Sequence, residues 1–294
     1  MRNNGEHRWF ADALPVAAVV AVILLVWYAA VIPMNAVVAE GKIAAAGGGL
    51  ANTIAVSWSL DRPVLPAPHQ VLLGFWTSVF TLDPFTPRSL VFHAWVTLAS
   101  TLVGFGMGTL LGIVLAIAIV HMKTLQKSLL PWIIASQTIP ILAIAPMIIV
   151  VLGSVGLTGL LPKSIISTYL CFFPVAIGMV KGLASPESMQ LDLMHTYSAN
   201  AAQTLGKLRF PSSLPFLFTS LKVAISIALV GAIVGELPTG AQAGIGARLL
   251  TGSYYGQTVQ IWTALLAAAL MAGGLVWVVG AAERATDWLM GARP

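Results

Sequence analysis

Leu191–Pro215, LDLMHTYSANAAQTLGKLRFPSSLP, is the one long polar passage between two blocks that are otherwise soluble in lipid. It carries Asp192, His195, Asn200, Gln203, Lys207 and Arg209 and closes on Pro211 and Pro215. Its pattern is helix-forming. A membrane chain that keeps such a basic, helix-forming loop is offering it to a soluble partner.

Composition sets the surroundings of that loop. Of 294 residues, 58% are hydrophobic and 9% charged, and mean hydropathy is +0.90. Soluble domains carry roughly 25% charged residues, so this chain cannot cover itself with a water-facing surface. The predicted class is all-α, a polytopic membrane protein. The net charge of +5 is scattered over membrane-flanking loops instead of forming a basic stripe, which argues against nucleic acid. One cysteine, Cys171, excludes an intramolecular disulfide and a cysteine zinc cage. We expect Cys171 to be a small core residue, and no metal or cofactor is expected.

Taken in order, Ala13–Ile32 gives twenty uncharged residues, enough to span about 30 Å, with Trp27 and Tyr28 near an interface. Ala44-Ala45-Ala46 lies too far beyond that run for signal cleavage, so a retained helix is expected. Pro33–Ser89, with Gly47–Gly49 and three prolines between Arg62 and Pro68, reads as extramembranous, with a short amphipathic helix over Val71–Phe80. Four further spans are expected at Leu90–Val120, Ser164–Val180, Phe216–Gly235 and Val259–Ala282. Leu129–Leu152 makes a sixth despite Pro131, Pro140 and Pro146, which points to a helix lining an interior. Gly104, Gly108 and Gly112 stand four apart, a stripe for close helix approach. Lys222 is expected to reach back to headgroups on its own side. The chain divides into residues 1–89, an N-terminal helix with its extracytoplasmic segment, and residues 90–294, a five-helix core whose polar loop occupies 183–215.

Six spans put both termini on one side. That side collects Arg2, Arg8, Lys123, Lys127, Lys181, Lys207, Arg209, Lys222, Arg284 and Arg293, against Lys42, Arg62, Arg88, Lys163 and Arg248 on the other. Ten against five places the termini and the loop in the cytoplasm.

The loop resembles the cytoplasmic coupling loop (the EAA loop) of permease subunits in binding-protein-dependent ABC importers. Counting back thirteen positions from Pro211 puts that family's glycine at Ser198 and its Glu-Ala-Ala triplet at Asp192-Leu193-Met194, so the acid survives as Asp and the glycine has become Ser. Leu208-Arg209-Phe210-Pro211 fits the family ending. Leu65-Pro66-Ala67-Pro68, Thr97-Leu98, Gln137-Thr138-Ile139-Pro140, Phe172-Phe173-Pro174, Gly231–Glu236 and Gly244-Ile245-Gly246 look like the nitrate, sulfonate and taurine branch. Tyr197-Ser198-Ala199 and the Lys207–Pro211 ending look closest to permeases for pyrimidine-type compounds (thiamine precursors or riboflavin). Ala36–Leu60 has no counterpart.

The resemblance implies a type I ABC importer permease in the bacterial inner (cytoplasmic) membrane, multi-pass, with two cytoplasmic ABC ATPase subunits, an extracytoplasmic substrate-binding protein and a second permease copy, most simply a homodimer. It implies a pyrimidine-type solute first, with sulfonate, taurine or nitrate next. The chain has no Gly-x-x-x-x-Gly-Lys-Ser/Thr and so cannot cradle ATP phosphates itself; it is a transport subunit and not an enzyme.

Asp192, Tyr197, Ser198, Ala199, Lys207, Arg209 and Pro211 are the expected ATPase-coupling residues. Asp192 is alternatively an early-helix acid favoured by the dipole, and Lys207 and Arg209 are alternatively headgroup anchors. Gln137, Thr138, Pro140 and Glu236 are the pathway candidates, against readings as interhelical hydrogen-bonding groups or, for Glu236, a solvated helix end. His93 reads as an interfacial imidazole. An intramembrane enzyme would need a nucleophile–base pair or metal cluster, and neither His-Glu-x-x-His nor Gly-x-Ser-x-Gly occurs. An ion-coupled secondary transporter is the rival class; it would place carboxylates or a repeated half at the midplane, and these spans offer neither.

Overall fold

The computed structural model describes residues 4–238 and 242–291, with side chains from Leu14 onward. Arg2 and Arg293, which entered the charge count above, lie outside that range, as does the side chain of Arg8. Five helices are long and apolar enough to cross a membrane, and a sixth crossing is made by two shorter helices bent by 97° at their junction. Among the described residues there is no strand.

The first compact unit comprises residues 1–84 and 249–266. Helix α1 runs Asn4–Ala45, well past the expected end at Ile32. Pro33 removes only one amide from the ladder, so the helix continues through it. What stops it is Gly47-Gly48-Gly49, all at positive φ (91°, 65° and 86°), a turn that residues with Cβ atoms rarely make. Helix α2 (Leu50–Trp58) folds back on the outer turns of α1. Val31, Asn35 and Ala39, four apart, are fully buried on one face of α1.

Asn35 fastens the proline-rich strap that follows. Its Nδ2 donates to Ser57 O and Leu65 O, both at 2.9 Å. Its Oδ1 accepts from Val64 N at 2.8 Å and Leu65 N at 3.1 Å. An asparagine amide has two donors and two lone pairs, and all are used. Trp27 Nε1 donates to Pro66 O at 3.0 Å, so that indole serves the strap as well as the apolar surface. Helix α3 (Pro68–Trp76), continued by a π-helical turn at Thr77–Thr81, fulfils the expected short helix.

The second unit comprises residues 85–248 and 267–294. Helix α4 (Leu90–His121) lies against α7 (Leu160–Leu183). A Cβ on Gly104 would stand 2.3 Å from that of Ser167, one on Gly108 2.3 Å from Cys171 Sγ, and one on Gly112 2.8 Å from Phe172 O. The glycine stripe is therefore a packing seam. Hydroxyls stitch it: Ser164 Oγ donates to Ser100 O at 3.2 Å and Thr168 Oγ1 to Gly104 O at 3.2 Å. Cys171 is fully buried in the core with Val175, Met179 and Ala228, as expected.

The paired numbers along that seam rise together, so α4 and α7 run in the same direction. The chain between them must return. Helix α5 (Lys123–Ser136) packs Ile133 against Ile119 and Phe172, and helix α6 (Ile141–Ser154) packs Ala145 against Ile166 and Val234. The bent pair is thus one broken span. The expected single helix over Leu129–Leu152 is corrected at Gln137–Pro140, where the Pro140 ring cannot continue the ladder. The Tyr169 hydroxyl donates to Ser136 O and serves one carbonyl that the break frees.

Helix α10 (Phe210–Gly235) runs against α7, with Gly231 facing Ser167 and Gly178 facing Ser220. Lys222 does not reach for headgroups; it pairs with Glu283 of helix α12 (Thr258–Leu289). A short helix α11, Ile245–Tyr254, lies between α10 and α12.

Candidate functional site

The second unit carries functional geometry at both ends. At one end, α7 finishes at Leu183 and α10 begins at Phe210, with the polar loop between. Glu187 caps helix α8 (Ser188–Thr196), its N–H donating to Gln190 Oε1 at 3.1 Å. The helix then stops in a Schellman motif: Ser198 N donates to His195 O at 2.9 Å and Ala199 N to Met194 O at 3.0 Å. Ser198 sits at φ 50° and is the one non-glycine at positive φ among the described residues. This left-handed position is where glycine ordinarily stands, and it is the position to which the sequence resemblance assigned one.

Asn200 starts the next helix through a capping box, its Oδ1 accepting from Gln203 N at 2.8 Å while Gln203 Oε1 accepts from Asn200 N at 2.9 Å. Helix α9 (Ala201–Thr204) passes through a π-helical turn, Leu205–Arg209, directly into α10. The looser turn sits just before Pro211, whose missing amide takes a rung from the ladder. Met189, Leu193 and Tyr197, four apart on α8, are 73%, 56% and 77% exposed, an uncovered apolar stripe. Asp192, Lys207 and Pro211 are exposed, and Ala199 is half-buried. Arg209 turns inward instead: its Nη1 donates to Leu183 O at 2.7 Å and satisfies a terminal carbonyl of α7.

At the opposite end, where α4 and α7 begin and α6 and α10 finish, Glu236 is fully buried one residue beyond the α10 span. It is not the solvated helix end that the sequence allowed. Thr97 Oγ1 lies 3.0 and 2.9 Å from its two oxygens, Gly246 N donates to it at 2.9 Å, and Lys163 Nζ stands 3.6 Å away. Burial pushes this carboxyl up to about 7, while Lys163, the Gly246 amide and the Thr97 hydroxyl pull the other way.

Gly244 and Gly246, at the start of helix α11, close over this carboxylate. Gly244 N donates to His93 Nδ1 at 3.0 Å, and His93 Nε2 lies 2.9 Å from Pro87 O. His93 therefore holds its proton on Nε2 and is a buried structural group, not an interfacial one. A Cβ on Gly244 would fall 2.1 Å from Glu236 Cδ, so the carboxylate needs glycine there. Sequence reading found Glu236 and the Gly244-x-Gly246 pair but not Thr97, Lys163 or His93 as their partners, because nothing local links positions so far apart.

Beside this cluster opens a cavity of about 720 Å³, walled by Trp95, Val96 and Ala99 of α4, Ile149 and Gly153 of α6, the Leu157–Gly159 turn, and Lys163 of α7. Gln137, Thr138 and Pro140 are not among its lining residues; they form the α5–α6 break, with Gln137 half-buried and Thr138 and Pro140 exposed. Among the described residues no cluster could hold a metal ion.

Residues 108–287 match the profile of the family described as binding-protein-dependent transport system inner membrane component. The chain is similar to the formylaminopyrimidine transport permease protein ThiX of Halalkalibacterium halodurans, 32% identical over 62% of this chain and 68% of that one. It is similar to the riboflavin transport system permease protein RibX of Chloroflexus aurantiacus, 30% identical over 75% and 78%. A probable ABC transporter permease protein of Haemophilus influenzae is 29% identical over 72% and 82%.

Proposed function

The chain belongs to the family of inner membrane components of binding-protein-dependent transport systems, and from that premise we propose how it couples and what it carries. It is a multi-pass inner membrane permease of an ABC importer for small solutes, and ATP hydrolysis resides in a separate subunit. Membership decides against the ion-coupled carrier.

In the proposed mechanism α8 and the Ser198 turn seat in a groove of the ATPase, with both termini in the cytoplasm. The carrying observation is the uncovered Met189–Leu193–Tyr197 stripe ending on a left-handed Ser198. Exposed apolar residues in register on a polar loop mark a protein contact. Arg209 ties the start of α10 to the end of α7, so a push on the loop moves both helices as a rigid body. Asp192, Tyr197, Ala199, Lys207 and Pro211 belong to that coupling surface. Gln137, Thr138 and Pro140 belong to the pathway at the broken span, facing a second copy of the chain in a homodimer.

The proposed solute is a pyrimidine-type compound, a thiamine precursor or riboflavin, ahead of sulfonate, taurine or nitrate. The names of the two relatives at 32% and 30% identity support that order. The test is purification of the tagged protein from its host, identification of the co-purifying ATPase, and ATP-driven uptake in proteoliposomes with the cognate binding protein. Recovery without a P-loop ATPase sinks the importer reading; uptake of nitrate or sulfonate with no uptake of heterocycles sinks the substrate.

A further inference from the structure

The cavity at the α4–α7 starting end has a chemical character of its own. Its volume of about 720 Å³ falls within the roughly 300–1,000 Å³ of pockets that take small organic ligands. Val96, Ala99, Ile149 and Leu157 make its wall apolar, Trp95 contributes an aromatic face, and Thr158 and Gln242 contribute hydrogen-bonding groups.

Among the described residues its one charged lining residue is Lys163, and that charge is already matched. The ammonium faces the Glu236 carboxylate at 3.6 Å and donates to Ala243 O at 2.9 Å. Helix dipoles do not tip the balance, because the α7 N-terminus meets the C-terminal ends of α6 and α10 around the same space. A small anion entering here would lose its hydration without gaining an unmatched positive charge. A planar, uncharged heterocycle loses little, buries its faces against the wall and Trp95, and keeps hydrogen bonds at its edge.

We propose that this cavity is a solute-binding site within the permease itself, selective for an uncharged heteroaromatic compound of the pyrimidine class over small inorganic and sulfonate anions. The proposal rests on the importer reading and adds a checkpoint inside the membrane subunit to the specificity of the external binding protein.

The test uses the full-length protein in lipid nanodiscs at pH 8, above the raised pKa of Glu236 of about 7. The probes are riboflavin, followed by its own fluorescence, and a neutral hydroxymethyl-aminopyrimidine, with sodium nitrate and methanesulfonate as competitors. Saturable heterocycle binding is expected, indifferent to excess nitrate or methanesulfonate. Ala99→Trp, which fills the cavity from its wall, should weaken it about tenfold or more, the equivalent of about 1.4 kcal/mol. Leu157→Trp, from the turn outside the helices, repeats the test should Ala99→Trp fold poorly. Glu236→Gln unmasks Lys163 and should make binding sensitive to nitrate.

Heterocycle binding that both cavity-filling variants leave unchanged overturns the proposal, as does displacement from the wild-type protein by methanesulfonate. Co-purification of the ATPase is scored separately. An assembly that retains its ATPase while the filled variants still bind solute rejects the cavity and leaves the importer standing; loss of the ATPase from the wild-type assembly rejects the importer.

Discussion

Thr97 and Glu236, 139 positions apart in sequence, meet with the threonine hydroxyl 2.9 Å from the carboxylate Oε2. The same hydroxyl oxygen accepts from Ile245 N at 2.8 Å, so one side chain joins α4, the end of α10 and the start of α11. Thr97→Val keeps the shape and removes both contacts, leaving a buried amide and a buried carboxylate each short of a partner. A cost of about 1–3 kcal/mol is expected, read as a lowered thermal unfolding midpoint in detergent. Thr97→Ser, which keeps the hydroxyl, should recover most of it; a Thr97→Val variant that melts like the wild type would remove these hydrogen bonds as the source of the stability.

Ser198 holds a left-handed conformation that costs a residue with a Cβ about 1–2 kcal/mol. Ser198→Gly relieves that cost within an unchanged Schellman motif and should leave the melting point the same or raised, with full ATPase recovery. Ser198→Val adds a branched Cβ that this region excludes; the turn must shift, and ATPase recovery should fall severalfold. Equal recovery from the glycine and valine variants would remove the turn from the coupling surface.

Much of this was legible in the sequence. The fourth helix was expected at Leu90–Val120 and runs to His121, because an uninterrupted apolar run has no competing reading. The turn at Ser198 was legible through the resemblance, which puts the family's glycine thirteen positions before Pro211. Two boundaries were not, and proline is the reason in both. Pro33 was read as a stop, but one missing amide inside a long helix is tolerated, and the glycines at 47–49 set the end. Pro140 was read as lying inside one helix, but with Gln137 closing the preceding turn it breaks the span by 97°. The Glu236 cluster was the least legible part, since its partners lie on three helices that only the fold brings together.

Arg209 and Lys207, two positions apart, separate by role. Arg209 Nη1 satisfies Leu183 O at 2.7 Å, a hydrogen bond from a charged donor worth about 1.5–3 kcal/mol. Arg209→Ala should therefore lower the melting point of the isolated permease. Lys207→Ala, at an exposed side chain, should leave that melting point unchanged and act only on partner binding.

The apolar stripe on α8 gives a sharper test of coupling. Leu193→Asp places a charge between Met189 and Tyr197, all three exposed in the chain alone, so the isolated protein loses no buried contact and should melt as before. If the stripe seats in the ATPase, that charge is desolvated on docking, and co-purified ATPase should fall by at least about tenfold, the effect of about 1.4 kcal/mol. A variant that melts normally and keeps its ATPase would place the contact elsewhere on the loop.

Glu236 also sets a pH dependence whose sign follows from its environment. Its carboxyl is raised from 4.5 to about 7, burial being the largest cause. The folded protein then binds a proton in a window where the unfolded chain has released it. This contribution to stability is complete below pH 4.5 and is lost as pH rises through 7. Lys163 faces the group from α7, while His93 of α4 shares the cluster through Gly244 N, with the charge of Arg248 acting on it. Glu236→Gln, uncharged throughout, removes the carboxyl while leaving these neighbours in place. The wild-type melting point should decline between pH 5 and pH 8 relative to that of Glu236→Gln, measured in the same detergent at fixed ionic strength. A wild-type curve that instead climbs relative to the variant over this window would mean that the Lys163 pair holds Glu236 ionised against its burial.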